Sequence, residues 1–435
     1  MEDLRITRLV LNNVGVFEHL DLSFKKKQPN DKAEIHIFTG ENGTGKTTLL
    51  EALTYFDTWF SPILREEKKT DRDVCDVLFH NERRLNRHNE KEFNVGICFH
   101  KREMEFSLHG HSHLPNVGFF HSYYKKENKS LDYYYHSYNF FAYNGHRQLN
   151  DTKVEAFKDF DFNPITEALT FSKTNVNTNL FQWIANNKTR AALSYQKGNK
   201  KDSDKYIASI LKIEKAIGEI IGRKVEFIID EYSLKVMVKL DDESIHYNTL
   251  ADGYKSVISW LTDLIFRLDY MPREGQENFT LFLDEIDIHL HPAAQRRILP
   301  VIQKLFPKAQ IFLTTHSPFI IGSVDGAWVY KFKLDEKGNS VLDGEPFLTE
   351  DAKSYRYILE QVFDIKKQFG VEIEKRLEDF YKMRDEAIKN SYKESSIKEL
   401  LKTARELAVQ SEELRAIMGN EIKQLSRILK KEITI

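Results

Sequence analysis

The feature that most constrains this 435-residue chain is one short loop, with the sequence Gly40-Glu41-Asn42-Gly43-Thr44-Gly45-Lys46-Thr47. The loop matches the pattern G-x-x-x-x-G-K-[S/T] in full, and it lies between an apolar strand pattern at Glu34–Thr39 and a helical pattern that begins at Lys46. Its glycines allow backbone N–H groups to close around phosphate oxygens, and the following helix contributes the positive end of its dipole. The pattern predicts a phosphate-binding loop; a glycine-rich loop that arose by chance is the alternative.

The phosphate loop also predicts which residues contact a nucleotide. Lys46 is expected to reach the β- and γ-phosphates, Thr47 to ligate Mg²⁺ and Thr48 to bond the α-phosphate. The residues predicted to bind ATP are Gly40, Asn42, Gly43, Thr44, Gly45, Lys46, Thr47 and Thr48.

A second strand pattern, Phe279–Leu283, ends in two carboxylates, Asp284 and Glu285. A buried strand that ends there brings Asp284 beside the magnesium ion, which it is expected to hold through water. Glu285 is then placed to orient or deprotonate the attacking water. The alternative is a strand-end acidic pair without a function, and the phosphate loop makes that alternative the weaker one.

A third strand pattern, Ile311–Thr314, is followed closely by His316. Ligands bind at the carboxyl ends of strands in α/β sheets, so His316 is predicted to contact the γ-phosphate and to take part in catalysis. A purely structural histidine is the alternative.

The charge and cysteine content exclude several classes of protein. The 64 basic and 66 acidic residues leave a net charge of −2, so any contact with DNA requires a local basic patch. The two cysteines, Cys75 and Cys98, are too few for a disulfide framework or a four-cysteine zinc site. Met1–Thr7 lacks the apolar core of a signal peptide, and no stretch approaches the roughly 18 apolar residues of a membrane span. We therefore expect a soluble, cytoplasmic protein without a membrane partner.

Taken together, these motifs resemble the ABC-type ATPase heads of the RecF/SMC class, and particularly the OLD-like ATPases of bacterial phage-defence operons. The resemblance rests on Asp284–Pro292, on Gln295 and on Thr314–Pro318, which look like the Walker B, D-loop and H-loop segments of that family. The opening Ile6–Phe17 is similar to the first strand and turn of the family. Gly15 stands where relatives often have an arginine, so an arginine contact is not implied here.

The segment Leu250–Ser256 resembles the ABC signature motif. The resemblance implies that it closes on the γ-phosphate of ATP bound by a second copy of the chain, using the residues Ala251, Asp252, Gly253 and Tyr254. Ala251 replaces the usual serine, which removes one hydroxyl contact. The alternative is an ordinary helix start with Asp252 in its turn.

The family's Q-loop corresponds to Tyr143–Gln148, where Gln148 would sense the magnesium ion; a plain surface turn is the alternative. Two other sets of residues raise the question of a metal site. The first set, His109, His111 and His113, would share one face of a strand and could bind a metal, but no acidic or cysteine partner lies nearby, which favours a solvent-facing strand. The second set is Asp287, His289 and His291, which the D-loop resemblance explains better.

The resemblance implies an α/β fold, an ABC-type P-loop ATPase head with a mostly parallel central sheet and an antiparallel lobe. The head is expected at residues 1–346, with a helical insertion at about 150–224, and a helical C-terminal domain at residues 347–435. Tyr355–Phe363 looks like the start of the tail of Septu ATPase subunits and retron-associated ATPases, and PARIS ATPases are also similar in class.

The implied function is that of a Mg²⁺-dependent ATPase subunit of an anti-phage defence system, which assembles as a homodimer or larger oligomer through composite ATP sites. It would sense infection or DNA and control a separate nuclease or toxin. A RecF-like repair ATPase is the alternative, and a transporter subunit is a weaker one because the insertion is large. A nuclease domain within the chain is not expected, since the 85 residues after Glu350 contain no Asp-x-Asp.

Overall fold

The computed structural model of the protein describes residues 5–26, 32–54, 93–99, 105–111, 114–122, 139–145, 154, 168, 179–232, 235–271, 277–349, 354–365, 367, 369–389 and 394–429. The chain divides into two compact units, Met1–Ile358 and Leu359–Ile435. Within the described ranges, no helix is both long enough and apolar enough to cross a membrane. The division predicted after residue 346 stays a prediction.

The strands are β1 (Ile6–Val14), β2 (Phe17–Ser23), β3 (Glu34–Gly40), β4 (Phe93–Phe99), β5 (Glu105–His111), β6 (Leu114–Ser122), β7 (Asn139–Tyr143), β8 (Val225–Ile229), β9 (Val236–Leu240), β10 (Glu243–His246), β11 (Phe279–Leu283), β12 (Gln310–Thr314), β13 (Trp328–Leu334), β14 (Ser340–Leu342) and β15 (Phe347–Leu348). The α-helices are α1 (Lys46–Thr54), α2 (Leu180–Gln196), α3 (Lys200–Ile221), α4 (Asp252–Asp269), α5 (Pro292–Leu305), α6 (Pro318–Ile321), α7 (Tyr355–Gln361), α8 (Val371–Lys389), α9 (Glu394–Ala408) and α10 (Glu412–Leu429). The helix predicted to begin at Lys46 is described as far as Thr54.

The central sheet has the order β14-β13-β3-β12-β11-β7, and β15 pairs with β13. The strands from β13 to β7 are parallel to one another, whereas β14 and β15 run antiparallel to β13. β11 and β12 are buried along their whole length, as expected of central parallel strands. Because these strands are parallel, the residues that follow β3, β11 and β12 all emerge at one edge of the sheet.

An antiparallel sheet with the order β2-β1-β4-β5-β6 forms a separate lobe. Its apolar residues, among them Leu9 and Leu22, share one core with Leu50 and Leu53 of α1. β4 and β5 pair antiparallel, with Phe93 opposite Gly110. A mostly parallel central sheet beside an antiparallel lobe is the predicted ABC-type α/β arrangement, and the predicted fold class is confirmed.

The insertion predicted to be helical contains α2 and α3, which are separated by Lys197–Asn199. The side chain of Asn199 accepts a hydrogen bond from the backbone N–H of Asp202 at 3.2 Å and so caps α3. Gly222 ends α3 in the left-handed conformation, with φ = 79°. A three-stranded sheet, β10-β9-β8, follows.

The second unit is helical in its described part. Helices α8, α9 and α10 share a core of their own, which includes Phe380, Leu400, Leu407, Met418 and Leu425. The apolar residues at helical spacing in the sequence therefore lie at the contacts between these helices.

Candidate functional site

The phosphate loop begins at the end of β3 and ends where α1 starts, at Lys46. Gly40, Gly43 and Gly45 all have positive φ values, of 140°, 84° and 80°. A Cβ atom on Gly45 would lie 2.5 Å from Val16 Cγ2, so no side chain fits there. At Gly43 no atom lies within 4 Å of the Cβ position, which leaves the backbone of the loop open on that side. These backbone conformations explain why the loop requires glycine.

Lys46 lies along the phosphate loop, with its side chain largely buried. Its Nζ donates to the carbonyl oxygens of Glu41 at 2.8 Å and of Gly40 at 3.0 Å. Burial lowers the pKa of Lys46, although the carboxylates of Asp284 and Glu285 act in the opposite direction. The loop thus holds the Lys46 ammonium against its own carbonyl oxygens, at the wall of the cavity described below.

Asp284 follows β11 and is hydrogen-bonded to the first turn of α1. Thr47 Oγ1 donates to Asp284 Oδ2 at 2.9 Å, and Thr314 Oγ1 donates to Asp284 Oδ1 at 2.6 Å. The backbone N–H of Asp284 donates to the carbonyl of Tyr143, on β7, at 2.9 Å. Hydroxyl and carboxylate oxygens are the ligands that Mg²⁺ prefers, so the chemistry of Thr47 and Asp284 fits this ion.

Glu285 has a left-handed backbone, with φ = 46°. Its N–H donates to Thr314 Oγ1 at 2.7 Å. On the other side lies Gly145, where a Cβ atom would come within 2.7 Å of Glu285 Oε2. The Glu285 carboxylate is therefore held close to a position that only glycine can occupy without a rearrangement.

These residues surround a cavity of about 390 Å³. Its lining residues are Gly15, Val16, Asn42, Gly43, Gly45, Lys46, Thr47, Thr48, Glu285, Thr314 and His316. Most of the predicted ATP-binding residues are thus brought together with Glu285 and His316. Gly40 and Thr44 belong to the loop but do not line the cavity; the Thr44 carbonyl accepts a hydrogen bond from Ser340 Oγ at 2.7 Å.

His316 lies beyond the end of β12 and lines the same cavity. Burial lowers the pKa of its imidazole, and the nearby Lys46 ammonium lowers it further. The carboxylates of Asp287 and Asp284 act in the opposite direction, and the net lowering of the pKa favours the neutral imidazole.

The signature segment lies at the start of α4. Ala251 occupies the N-cap position without a side-chain hydrogen bond, and the exposed Asp252 pairs with Lys255 at 2.8 Å. Gly253 is buried, and a Cβ atom there would lie 2.3 Å from the carbonyl oxygen of His289. Ala251, Asp252, Gly253 and Tyr254 do not line the cavity of their own chain.

The remaining predictions concern one residue, Gln148, and the two sets of residues that raised the question of a metal site. Gln148 lies outside the described residues. Gly145, which belongs to the same predicted Q-loop, lies beside Glu285. The proposed histidine set at 109, 111 and 113 also depends on side chains outside that part. Among the described residues, no group of three or more His, Cys, Asp or Glu side chains is arranged to hold a metal ion, and this includes the set at 287, 289 and 291.

Several residues at the site were not assigned a role from the sequence. Thr314 is one of them. In addition, Thr315 Oγ1 donates to Asp287 Oδ1 at 2.6 Å, and Ser317 Oγ donates to Gln295 Oε1 at 2.6 Å. Three hydroxyl side chains around one histidine, directly after a buried strand, are a signal that the sequence does contain. Ser340 carries no such signal, because it lies on a short edge strand far along the chain.

Comparison with known proteins identifies similar chains. Residues 35–322 match the family described as "AAA domain, putative AbiEii toxin, Type IV TA system", and residues 4–63 match a further AAA domain family. The "Septu protein PtuA" of Bacillus thuringiensis is 23% identical over 327 residues, covering 73% of each chain. The "Retron Vc95 probable ATPase" of Vibrio cholerae is 23% identical over 395 residues, covering 75% of each chain.

Among solved structures, an SMC head bound to the C-winged helix domain of ScpA is similar, with a TM-score of 0.45 and 12% identity. The structural match covers 80% of the present chain and 98% of the SMC head. The resemblance to Septu and retron ATPases that the sequence motifs predict is confirmed by the sequence relatives.

Proposed function

The chain belongs to the family described as "AAA domain, putative AbiEii toxin, Type IV TA system", and we propose that it binds ATP with Mg²⁺ and hydrolyses it. One observation carries the proposal. Thr47 and Asp284, which are 237 positions apart in the sequence, are joined by a hydrogen bond of 2.9 Å at the edge of the sheet. This contact supports the proposal, because it joins the first turn after the phosphate loop to the carboxylate at the end of β11.

The phosphate loop supplies the binding groups. The open backbone at Gly43 and the N-terminus of α1 present N–H donors, and Lys46 adds a positive charge. Thr47 and Asp284 would hold Mg²⁺, as their oxygen donors fit that ion. When bound, Mg²⁺ neutralises charge that develops on the phosphate oxygens.

Glu285 is the proposed general base, and it orients the attacking water or accepts its proton. Its carboxylate is close to Gly145, and the side chain lines the cavity with Lys46 and His316. The neutral imidazole of His316 is proposed to contact the terminal phosphate. These roles are supported by the placement of all three side chains around one cavity.

We further propose that two copies of the chain complete each ATP site. The segment Ala251–Tyr254 lies at the start of α4 and does not line the cavity of its own chain, and its first two residues, Ala251 and Asp252, are exposed to a second copy. The positive end of the α4 dipole suits the negative charge of a phosphate. A dimer would hold each nucleotide between Lys46 of one copy and Gly253 of the other.

At the level of the cell, the proposed role is that of an anti-phage defence ATPase that controls a separate nuclease or toxin. The support is the names of the relatives, a Septu protein and a retron ATPase, together with a family description that refers to a toxin–antitoxin system. Control would operate through ATP-dependent assembly of the chain. A repair ATPase of RecF kind would instead show hydrolysis stimulated by DNA and no dependence on an effector protein.

The test is ATP hydrolysis by the purified chain, measured as phosphate release with and without Mg²⁺. We expect wild type and Lys337→Ala, an exposed-lysine control, to hydrolyse ATP, and Lys46→Ala and Glu285→Gln to be inactive. Full activity of Lys46→Ala would contradict the proposed site. Full activity of Glu285→Gln alone would leave the site in place and remove the proposed base.

A further inference from the structure

We propose that Thr314 is a positioning residue that aligns both carboxylates of the ATP site, the side chain of Asp284 and, through its backbone, that of Glu285. The inference rests on the proposed function and adds to it a residue from the neighbouring strand β12. It follows from hydrogen bonds that one hydroxyl group makes with two consecutive residues.

The direction of both hydrogen bonds is fixed by chemistry. The backbone N–H of Glu285 can only donate, so Thr314 Oγ1 accepts from it at 2.7 Å. The single hydroxyl proton is then given to Asp284 Oδ1, at 2.6 Å. Thr314 is buried, and it also lines the cavity of the site.

Glu285 needs this support because of its backbone conformation. A φ of 46° is uncommon for a residue with a side chain, and it persists only when surrounding contacts hold it. The hydrogen bond from its N–H to Thr314 is such a contact, and the N–H of Ile286 adds a second to the Thr314 carbonyl at 3.3 Å. Thr314 therefore holds the turn that carries Glu285 at two points.

The position of this turn determines where the Glu285 carboxylate lies. The carboxylate lies beside Gly145, whose missing side chain leaves room for it, since a Cβ atom there would be 2.7 Å from Oε2. A turn released from Thr314 would move the carboxylate relative to Lys46 and His316, which line the same cavity. A displacement of about 1 Å at a reacting group is enough to lower a rate roughly a hundredfold.

Asp284 depends on Thr314 in a different way. Its Oδ2 accepts from Thr47 while its Oδ1 accepts from Thr314, so the carboxylate plane is fixed by one hydroxyl at each oxygen. Loss of the Thr314 hydroxyl leaves Oδ1 without this donor. The expected consequence is a carboxylate that presents its oxygens to Mg²⁺ less reproducibly.

The test compares Thr314→Val, which removes the hydroxyl and keeps the shape, with Thr314→Ser, which keeps the hydroxyl. Thr280→Val is the matched control: Thr280 is buried on the adjacent strand β11, and its Oγ1 has no hydrogen-bond partner in the described part of the chain. We measure the single-turnover rate of ATP hydrolysis, ATP affinity without Mg²⁺, and the Mg²⁺ concentration that half-saturates the stimulation of ATP binding. Thermal melting of each variant shows that it is folded.

For Thr314→Val we expect a rate about tenfold to a hundredfold below wild type, a raised Mg²⁺ requirement and an unchanged affinity for ATP alone. Thr314→Ser and Thr280→Val should stay within about threefold of wild type in all three measurements. Should Thr314→Val fail to fold, Thr314→Ala provides the same comparison with serine.

Two results would overturn the inference. One is a hydroxyl-free variant with the wild-type rate and Mg²⁺ requirement. The other is a serine variant as impaired as valine, which would assign the effect to packing of the methyl group. If wild type binds ATP but turns it over too slowly to measure, the Mg²⁺ titration decides. Failure of the proposed function is distinguishable, because it appears as wild type that does not bind ATP.

Discussion

The buried carboxylate of Glu34, at the start of β3, connects the central sheet to the beginning of the chain. It accepts two hydrogen bonds from Arg5, at 2.5 and 2.7 Å, one from Gln310 at 2.9 Å, and one from His36 Nε2 at 2.6 Å. Its side chain is only 9% exposed. Because Glu34 and Gly40 lie at opposite ends of β3, this cluster is remote from the phosphate loop.

The pKa of Glu34 gives the size of its contribution. Burial alone would raise the pKa, but the hydrogen bonds from His36 and Arg5 outweigh burial and lower the pKa from 4.5 to about 2. A difference of this size corresponds to about 3 kcal/mol of folding free energy at neutral pH. Since the folded pKa is the lower one, this stabilisation is present above pH 4.5 and is lost as the pH falls towards 2.

Protonation of His36 lowers the folding stability of the chain at a higher pH than protonation of Glu34 does. Burial lowers the pKa of its imidazole below the ordinary 6.5, more strongly than Glu34 raises it. The unfolded chain therefore binds this proton first, and acidification below pH 6.5 favours unfolding. The neutral imidazole donates from Nε2 to Glu34, and Nδ1 accepts from the Tyr330 hydroxyl at 3.2 Å.

The perturbation is Glu34→Gln, and the assay is urea unfolding followed by tryptophan fluorescence. The four tryptophans, Trp59, Trp183, Trp260 and Trp328, all lie in the unit Met1–Ile358, so the signal reports on that unit alone. At about pH 7 we expect the variant to be less stable by about 3 kcal/mol. The difference should shrink below pH 4.5, because protonated glutamate resembles glutamine.

The control is Asp21→Asn. Asp21 also pairs with an arginine through two hydrogen bonds, to Arg8 at 2.8 and 2.5 Å, but its side chain is 39% exposed. Exposed pairs contribute about 1 kcal/mol or less, so this variant should remain close to wild type. Equal stability of Glu34→Gln and wild type at about pH 7, or a difference that does not change with pH, would refute the argument.

The other predictions concern the ATP site. Lys46→Ala should weaken ATP binding at least about a hundredfold in isothermal titration, because the phosphates lose their cation; unchanged affinity would remove the phosphate-loop assignment. Glu285→Gln should bind ATP without hydrolysing it, and light scattering should show that the ATP-bound variant self-associates. A strictly monomeric ATP-bound variant would argue against a site shared by two copies. The purified chain should not nick supercoiled plasmid with Mg²⁺ and ATP, and phage protection should require a second protein; nicking that survives Glu285→Gln and repeated purification would contradict this.

The parts of the site that the sequence predicts are those that depend on local patterns. The phosphate loop is eight consecutive residues, and the carboxylates directly follow a buried strand, so both are visible without knowledge of their neighbours. Their meeting follows from the rule that parallel strands end at the same edge of a sheet. The structure brings Thr47 and Asp284 together in this way, at 2.9 Å.

The parts that the sequence does not predict depend on contacts between distant segments. Gly145 is needed because Glu285 lies against it, and Ser340 matters because it donates to the Thr44 carbonyl. Neither residue belongs to a periodic pattern. β7 shows the same limit: its apolar residues indicate a strand, but its place beside β11 is set by tertiary pairing.

Two separate reasons can explain why a glycine occupies position 253. In the signature resemblance, its lack of a side chain lets the backbone approach a phosphate on a second copy. Within one chain, the His289 carbonyl already lies where a Cβ atom would be, at 2.3 Å. A larger residue would therefore displace either the start of α4 or the turn after Asp287, whose side chain Thr315 holds at 2.6 Å. The glycine alone is thus not evidence of a phosphate contact, and association that depends on ATP in Glu285→Gln is the stronger criterion for a shared site.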